Sequence, residues 1–344
     1  MKKLYQMPKW KKHSRRRSMR ELLKRQEQEA LQHALNKGMA KRMEPPQYTG
    51  VAYIRKEHKY EIPVPEVFSL VTNVDEMLMF YKTIYAYAQE KKGIFLDMSK
   101  IRQISVDAIL YTISVFDHLE KSLHFTKFGG NFPNDEYTHQ VLLQSSFFNY
   151  VKANFKFDPD DSDILSVKSG QLVRGKVAQQ VINFGKAQLG RVGDASTRSM
   201  YATLIECMVN TGHHAYEKRL PNWKWWLMAL PDRDKRKVHF AFLDNGRGIP
   251  VTVRKNFRER VLQLFGNTAM DSRLIQSTLE GEYRTRIKNK WRGKGLPKIY
   301  SYSKNKLIEN LRIISNHGYV ECDNDQSMEL RDKFHGTLLY WEFV

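Results

Sequence analysis

The chain has 344 residues, 41% hydrophobic and 12% aromatic, the balance of a folded globular protein with room for about two domains. Its two cysteines, Cys207 and Cys322, exclude a disulfide framework and a four-ligand zinc site. With no run of about 18 apolar residues, the expectation is a cytoplasmic chain without a membrane span. The net charge of +20 is unevenly placed. Residues 1–43 carry fourteen Lys/Arg against three Glu, and residues 251–294 carry eleven against four acids. Such patches favour polyanions or an acidic partner, unless they are simply a solvated surface.

Residues 1–46 read as a basic arm. Tyr5 and Trp10 lie among cations, and from Ser18 to Met43 a narrow stripe (Leu22, Leu23, Leu31, Ala34, Leu35) marks a basic helix. Phosphate contact with base stacking suits this arm, and so does docking to another subunit or a membrane surface. A strand is predicted around Val51–Ile54 and a helix from Asn73 to Gln89. A buried strand over Ile94–Leu96 ends at Asp97, and a helix begins near Ser105 or Asp107, either of which is a plausible N-cap. A turn-rich break, "FDPDDSD", closes the block at 157–163. Strand alternating with helix points to a small α/β module over residues 47–156.

This module resembles a STAS domain through "IFLDMSKIRQISVDA" and "FTKFGGNFPNDEYTHQVLLQSSFF". At the position where bacterial antagonists of that family carry a phosphorylated serine stands Val106, after Ser105. Valine accepts no phosphoryl group, so the resemblance implies a structural module or one that docks a protein partner, not a phosphorylation switch.

Residues 165–344 form the second block. Helices are expected over 172–190 and through "ASTRSMYATLIECMVNTGHHAY". On the latter, Glu206 and Asn210 stand four apart and share a face. A carboxylate and an amide oxygen aimed together suit a general base beside a hard cation such as Mg²⁺, although a solvated helix face reads the same way. "NWKWWLMAL" and "VHFAFLD" read as a hairpin whose tryptophans pack. Asp244 ends its second strand, and Gly246 and Gly248 follow. Alone this is a turn after a strand. In "WRGKGLPKIY", Gly293 and Gly295 flank Lys294 ahead of a helix, where exposed N–H groups and the helix dipole make a phosphate cradle. "LRIISNHGYVEC" and "FHGTLLYWEFV" are the closing strands.

Taken in order, Glu206-x-x-x-Asn210, Asp244-Asn-Gly246-x-Gly248, Arg292-Gly293-Lys294-Gly295-Leu296 and Gly336-Thr337 resemble the four boxes of the GHKL ATPases. That resemblance implies a Bergerat-type two-layer α/β sandwich, so the whole chain is expected to be α+β. It implies ATP and Mg²⁺ as ligands and a lid over about 249–292. Asp244 would accept from the adenine amino group, and Thr337 would support the adenine side. Gly246, Gly248 and Ile249 would line the approach. Asn210 would hold Mg²⁺, Gly293, Lys294, Gly295 and Leu296 would wrap the phosphates, and Glu206 would polarise the attacking water. Where hydrolysing members often carry a second acid stands His213, followed by His214, which touch phosphate, tune Glu206 or simply cap the helix end. A phosphoacceptor-histidine hairpin is missing, which argues against autophosphorylation.

Three functions follow as expectations. One is an ATP-gated switch that hydrolyses ATP, self-associates or changes partners, and works in a nucleic-acid-associated or defence-type bacterial complex. The others are a serine/threonine kinase resembling anti-sigma-factor kinases and a non-hydrolysing ATP-binding scaffold.

Overall fold

The structure, a computed structural model, describes residues 59–150, 164–190, 193–214, 223–232, 234–283 and 294–344. All of them belong to one compact unit, Gly50–Val344; the basic arm and the strand expected at Val51–Ile54 lie outside the described residues.

The first half runs β1 (Lys59–Pro63), β2 (Val67–Phe68), α1 (Val74–Gln89), β3 (Gly93–Asp97), β4 (Gln103–Ile104), α2 (Val106–Leu123), β5 (Phe128–Gly130), α3 (Glu136–Gln144) and α4 (Phe147–Tyr150). Strands β1, β3 and β5 form a parallel sheet with β3 in the centre, and β2 pairs with β4. Of the two candidate caps for α2, Ser105 takes the extended N-cap conformation. Asp107 has a different task. Its buried carboxylate accepts from the Leu70 and Val71 backbone N–H groups at 2.6 and 3.3 Å and from the Ser105 hydroxyl, tying the turn before α1 to the start of α2. Burial pushes this carboxyl above its ordinary value, against the pull of those donors. Val106 is fully buried.

The second half runs β6 (Leu165–Gly170), α5 (Gly175–Leu189), α6 (Asp194–His214), β7 (Trp225–Asp232), β8 (Lys237–Asp244), α7 (Ile249–Asn256), α8 (Arg258–Phe265), a 3₁₀ turn (Gly266–Thr268), α9 (Asp271–Leu279), α10 (Gly295–Lys304), β9 (Glu309–Glu321) and β10 (Gln326–Phe343). Five strands make one antiparallel sheet in the order β6-β7-β8-β10-β9, and β7 and β8 are the expected hairpin. Strand β6 has no counterpart among the predicted elements. It is short, ends in Gly170 and sits at the sheet edge.

Both faces of this sheet are covered. Val238, Phe240 and Phe242 of β8 join Val181, Leu204, Met208 and Ile299 in a cluster with α5, α6 and α10. Ala241 and Leu243, alternating with them, join Met77, Ile84, Ile109 and Phe116 of α1 and α2. An antiparallel sheet with one wet face alternates apolar and polar residues. Here "WWLMAL" and "TLLYWEF" are continuous because two helical layers claim alternate side chains. Trp225 faces one layer, Trp226 the other, and both are fully buried, so they pack as expected. Burial of each large apolar side chain stabilises by about 1.5–3 kcal/mol. The mixed α/β class is as expected. The sheet is the middle of three layers, the third being supplied by the first half of the chain.

Candidate functional site

Helix α6 spans 21 residues, and its Met200, Leu204, Cys207 and Met208 are buried against the sheet. That fixes the rotation of the helix, so Glu206 and Asn210 emerge at its margin, both half-buried. The N-terminus of α10 arrives beside them. A Cβ on Gly295 would stand 2.7 Å from Glu206 Oε2 and 3.6 Å from Asn210 Nδ2, so glycine is what lets the helix start approach without pushing the Glu206 carboxylate aside. One helical turn on, Lys298 Nζ lies 4.0 Å from Glu206 Oε1. With both side chains partly exposed, this pair adds little stability. Its effect is to place a cation next to the carboxylate. Lys294 caps the helix with an exposed side chain, and Leu296 packs on the core below.

Asp244 ends β8, only 5% exposed, with Thr337 of β10 as its register partner on one side and Trp225 on the other. Asp244 Oδ1 accepts from Gly246 N–H at 2.8 Å, closing the turn read in the sequence. The chain then passes Gly248, whose φ of +89° is open to glycine and rarely to other residues; a Cβ there would also collide with Asn316. Ser315 locks this corner. Its hydroxyl donates to Gly336 O at 3.0 Å and accepts from Ile249 N–H at 2.9 Å. With that proton committed, the Thr337 hydroxyl donates to Ser315 Oγ across 3.2 Å. Sequence reasoning missed Ser315, because nothing separates it from its neighbours in "RIISNHG".

Cys207 is buried within electrostatic reach of both the Asp244 and the Glu206 carboxylates. Burial raises this thiol well above its ordinary value, and both carboxylates raise it further. Cys207 and Cys322 are buried and unpaired, the inert hydrophobes expected.

Beyond Gly248 the expected lid begins as packed helices. Val253, Val261, Leu274 and Tyr283 form a small cluster of their own. Arg254 Nη1 pairs with Asp271 Oδ1 at 2.5 Å, while Asp271 Oδ2 accepts from His317 N–H at 2.9 Å, which anchors α9 to β9. Gly293, with Arg292, lies outside the described residues, as do the side chains of His213 and His214.

The structure therefore brings Glu206, Asn210, Gly295 and Leu296 together at one end of α6, and Asp244, Gly246, Gly248, Ile249 and Thr337 together around the end of β8. Among the described residues no three His, Cys, Asp or Glu side chains are grouped to hold a metal, and no helix is long and apolar enough to cross a membrane. No protein-family model matches the chain, and no curated protein matches its sequence.

Proposed function

We propose that the chain binds ATP between α6, α10 and the end of β8, and hydrolyses it as the reset of a conformational switch, in the manner of the GHKL ATPases it resembles. The observation that carries this reading is the meeting of Glu206 and Asn210 with the glycine start of α10. A phosphate chain needs unobstructed N–H donors and a positive dipole end. Hydrolysis needs a carboxylate within reach of the attacking water. A side chain at residue 295 would displace that carboxylate. Asp244, nearly buried at the end of β8, would take the adenine amino group, with Thr337 and Ser315 holding the turn behind it. Asn210 would be the protein ligand of Mg²⁺, which supplies charge neutralisation on the phosphates. Lys298 would move from Glu206 to the more negative phosphates, freeing the carboxylate.

Binding of a fluorescent ATP analogue tests the site. Asp244→Ala is expected to lose binding, while Glu206→Gln keeps it and loses steady phosphate release. Tight binding by Asp244→Ala refutes the assignment. For the basic arm we propose nucleic acid as the partner. Deleting residues 1–43 should weaken DNA or RNA binding and flatten its salt dependence; unchanged binding refutes this.

A further inference from the structure

A cavity of about 790 Å³ lies on the other face of the sheet from Glu206 and Asp244. It opens where the first-half layer stops short of the ends of β7, β8 and β10. Its volume is that of a small-molecule site. The floor is sheet, with Arg312 and Tyr340 as register partners and, one step along, His239 opposite Glu342. The walls are α3, through Tyr137, Gln140 and Gln144, and the turns around Thr72 and Ser105.

The floor is rigid. Tyr340 hydroxyl donates to Glu342 Oε1 at 3.2 Å and meets His239 Nδ1 at 2.5 Å. Glu342 Oε2 also accepts from Lys237 at 2.9 Å and Asn310 at 2.7 Å. Its charge is thereby compensated from behind the floor. Arg312 is balanced in part by Glu321, Nε to Oε1 at 3.4 Å, and Nη1 donates to Val71 O at 3.4 Å. Arg312 is itself one of the residues that line the cavity. The lining charges left over are Asp232, Asp234 and Lys235, a net of −1. Lys235 pairs with Asp232 at 3.2 Å, and Asp234 has no ion pair among the described residues.

Arg312 and Asp232 stand at opposite corners. Three strand spacings and four residues of strand separate them, roughly 20 Å between Cα atoms, so they cannot neutralise each other. One corner offers a guanidinium edge, the other an excess carboxylate, with amides and hydroxyls between.

We propose that this cavity binds a free basic amino acid, its carboxylate on Arg312 and its distal cation at Asp232 and Asp234. Such a ligand carries a net charge of +1, the complement of the lining, and its chain bridges the corners after their side chains reach inward. The amides of Gln140 and Gln144 and the Tyr137 hydroxyl take the polar groups between. Because the floor strands β8 and β10 also carry Asp244 and Thr337, occupancy on this face is in mechanical contact with the opposite one.

Titration calorimetry of the full chain with L-arginine and with L-lysine tests the proposal. Saturable binding with a Kd below about 1 mM is expected for at least one. Cadaverine, lacking the carboxylate, and norleucine, lacking the distal cation, should each bind at least about tenfold more weakly. Asp232→Asn should weaken the amino acid by a similar factor. Gln144→Trp, a wall substitution that leaves the Arg312 contacts intact, should abolish binding with the melting temperature retained. No saturable heat with either amino acid overturns the proposal, as does binding that survives both variants.

Discussion

Gly295→Ala probes the proposed site at its narrowest point. The added Cβ would come to 2.7 Å from Glu206 Oε2, where ordinary contacts begin near 3.4 Å, while Asn210 Nδ2 at 3.6 Å is untouched. The Glu206 end is flexible and partly exposed, so it yields by somewhat under 1 Å and the fold survives. Alanine in place of glycine in a helix contributes about 0.5–1 kcal/mol of its own, so stability should be unchanged or slightly raised. A catalytic group misplaced by about 1 Å costs roughly a hundredfold in rate. The variant should therefore melt like the parent and bind the fluorescent ATP analogue within a few-fold. Its phosphate release should fall by about tenfold to a hundredfold. Release at the parental rate would refute the reasoning, because Glu206 would then not be the group that positions water. Loss of analogue binding together with release would instead place the damage on the phosphate cradle.

Two further outcomes concern the frame. Trp226→Ala should cost about 3–5 kcal/mol in urea unfolding, in one cooperative transition, because the ring fills the layer between sheet and α2. A cost under about 0.5 kcal/mol, that of a surface site, would show the first half to be a detachable domain. Glu342 supplies a pH signature. Burial raises its carboxyl, but the hydrogen bonds from His239, Lys237 and Asn310 outweigh burial and hold it well below the ordinary value of 4.5. A depressed folded-state pKa contributes stability that is full above the unfolded value and is lost as pH falls below it. Glu342→Gln should therefore lower stability at neutral pH and flatten its decline below about pH 4.5, read from melting temperatures; an unchanged acid limb would remove Glu342 from that role.

What could be read in advance follows from how local each signal is. Helix α1 was legible to within a residue because Met77, Phe80, Tyr81 and Ile84 repeat at helical spacing behind Asn73. The hairpin β7/β8 was legible from two apolar runs and a charged turn. Glu206, Asn210, Asp244 and Gly295 were nameable because glycines and polar residues stand out inside apolar segments. Strand β6 was not, since only Leu165 and Val167 are buried and the rest is Ser, Lys and Gly. The start of β10, "QSMELR", was missed for the same reason: it is largely exposed. Ser315 escaped because its role is defined by three partners far away in sequence, Ile249, Gly336 and Thr337. The floor of the cavity escaped likewise. His239, Tyr340, Glu342 and Arg312 come from three strands, and only register aligns them.

The strands did carry one long-range message. A two-layer sandwich leaves one sheet face to water, and its strands should alternate. "WWLMAL", "VHFAFLD" and "TLLYWEF" do not alternate, and that alone requires a second covering layer. The first half of the chain provides it through α1 on β10 and α2 on β7 and β8. The joint is sealed by more than apolar contact: Lys224, beside the Trp226 ring, pairs with Asp117 of α2, and the His335 backbone N–H donates to the Tyr111 hydroxyl at 3.1 Å. Strands β8 and β10 therefore feel both layers. A change in the Asp244 turn on one face must be accommodated by the packing of α1 and α2 on the other, because a close-packed interior transmits strain. In a molecule built this way, the segment that resembles a docking module is also the back wall of the proposed nucleotide site. A nucleotide-driven shift would reach that layer through β8 and β10, two of the strands it packs on.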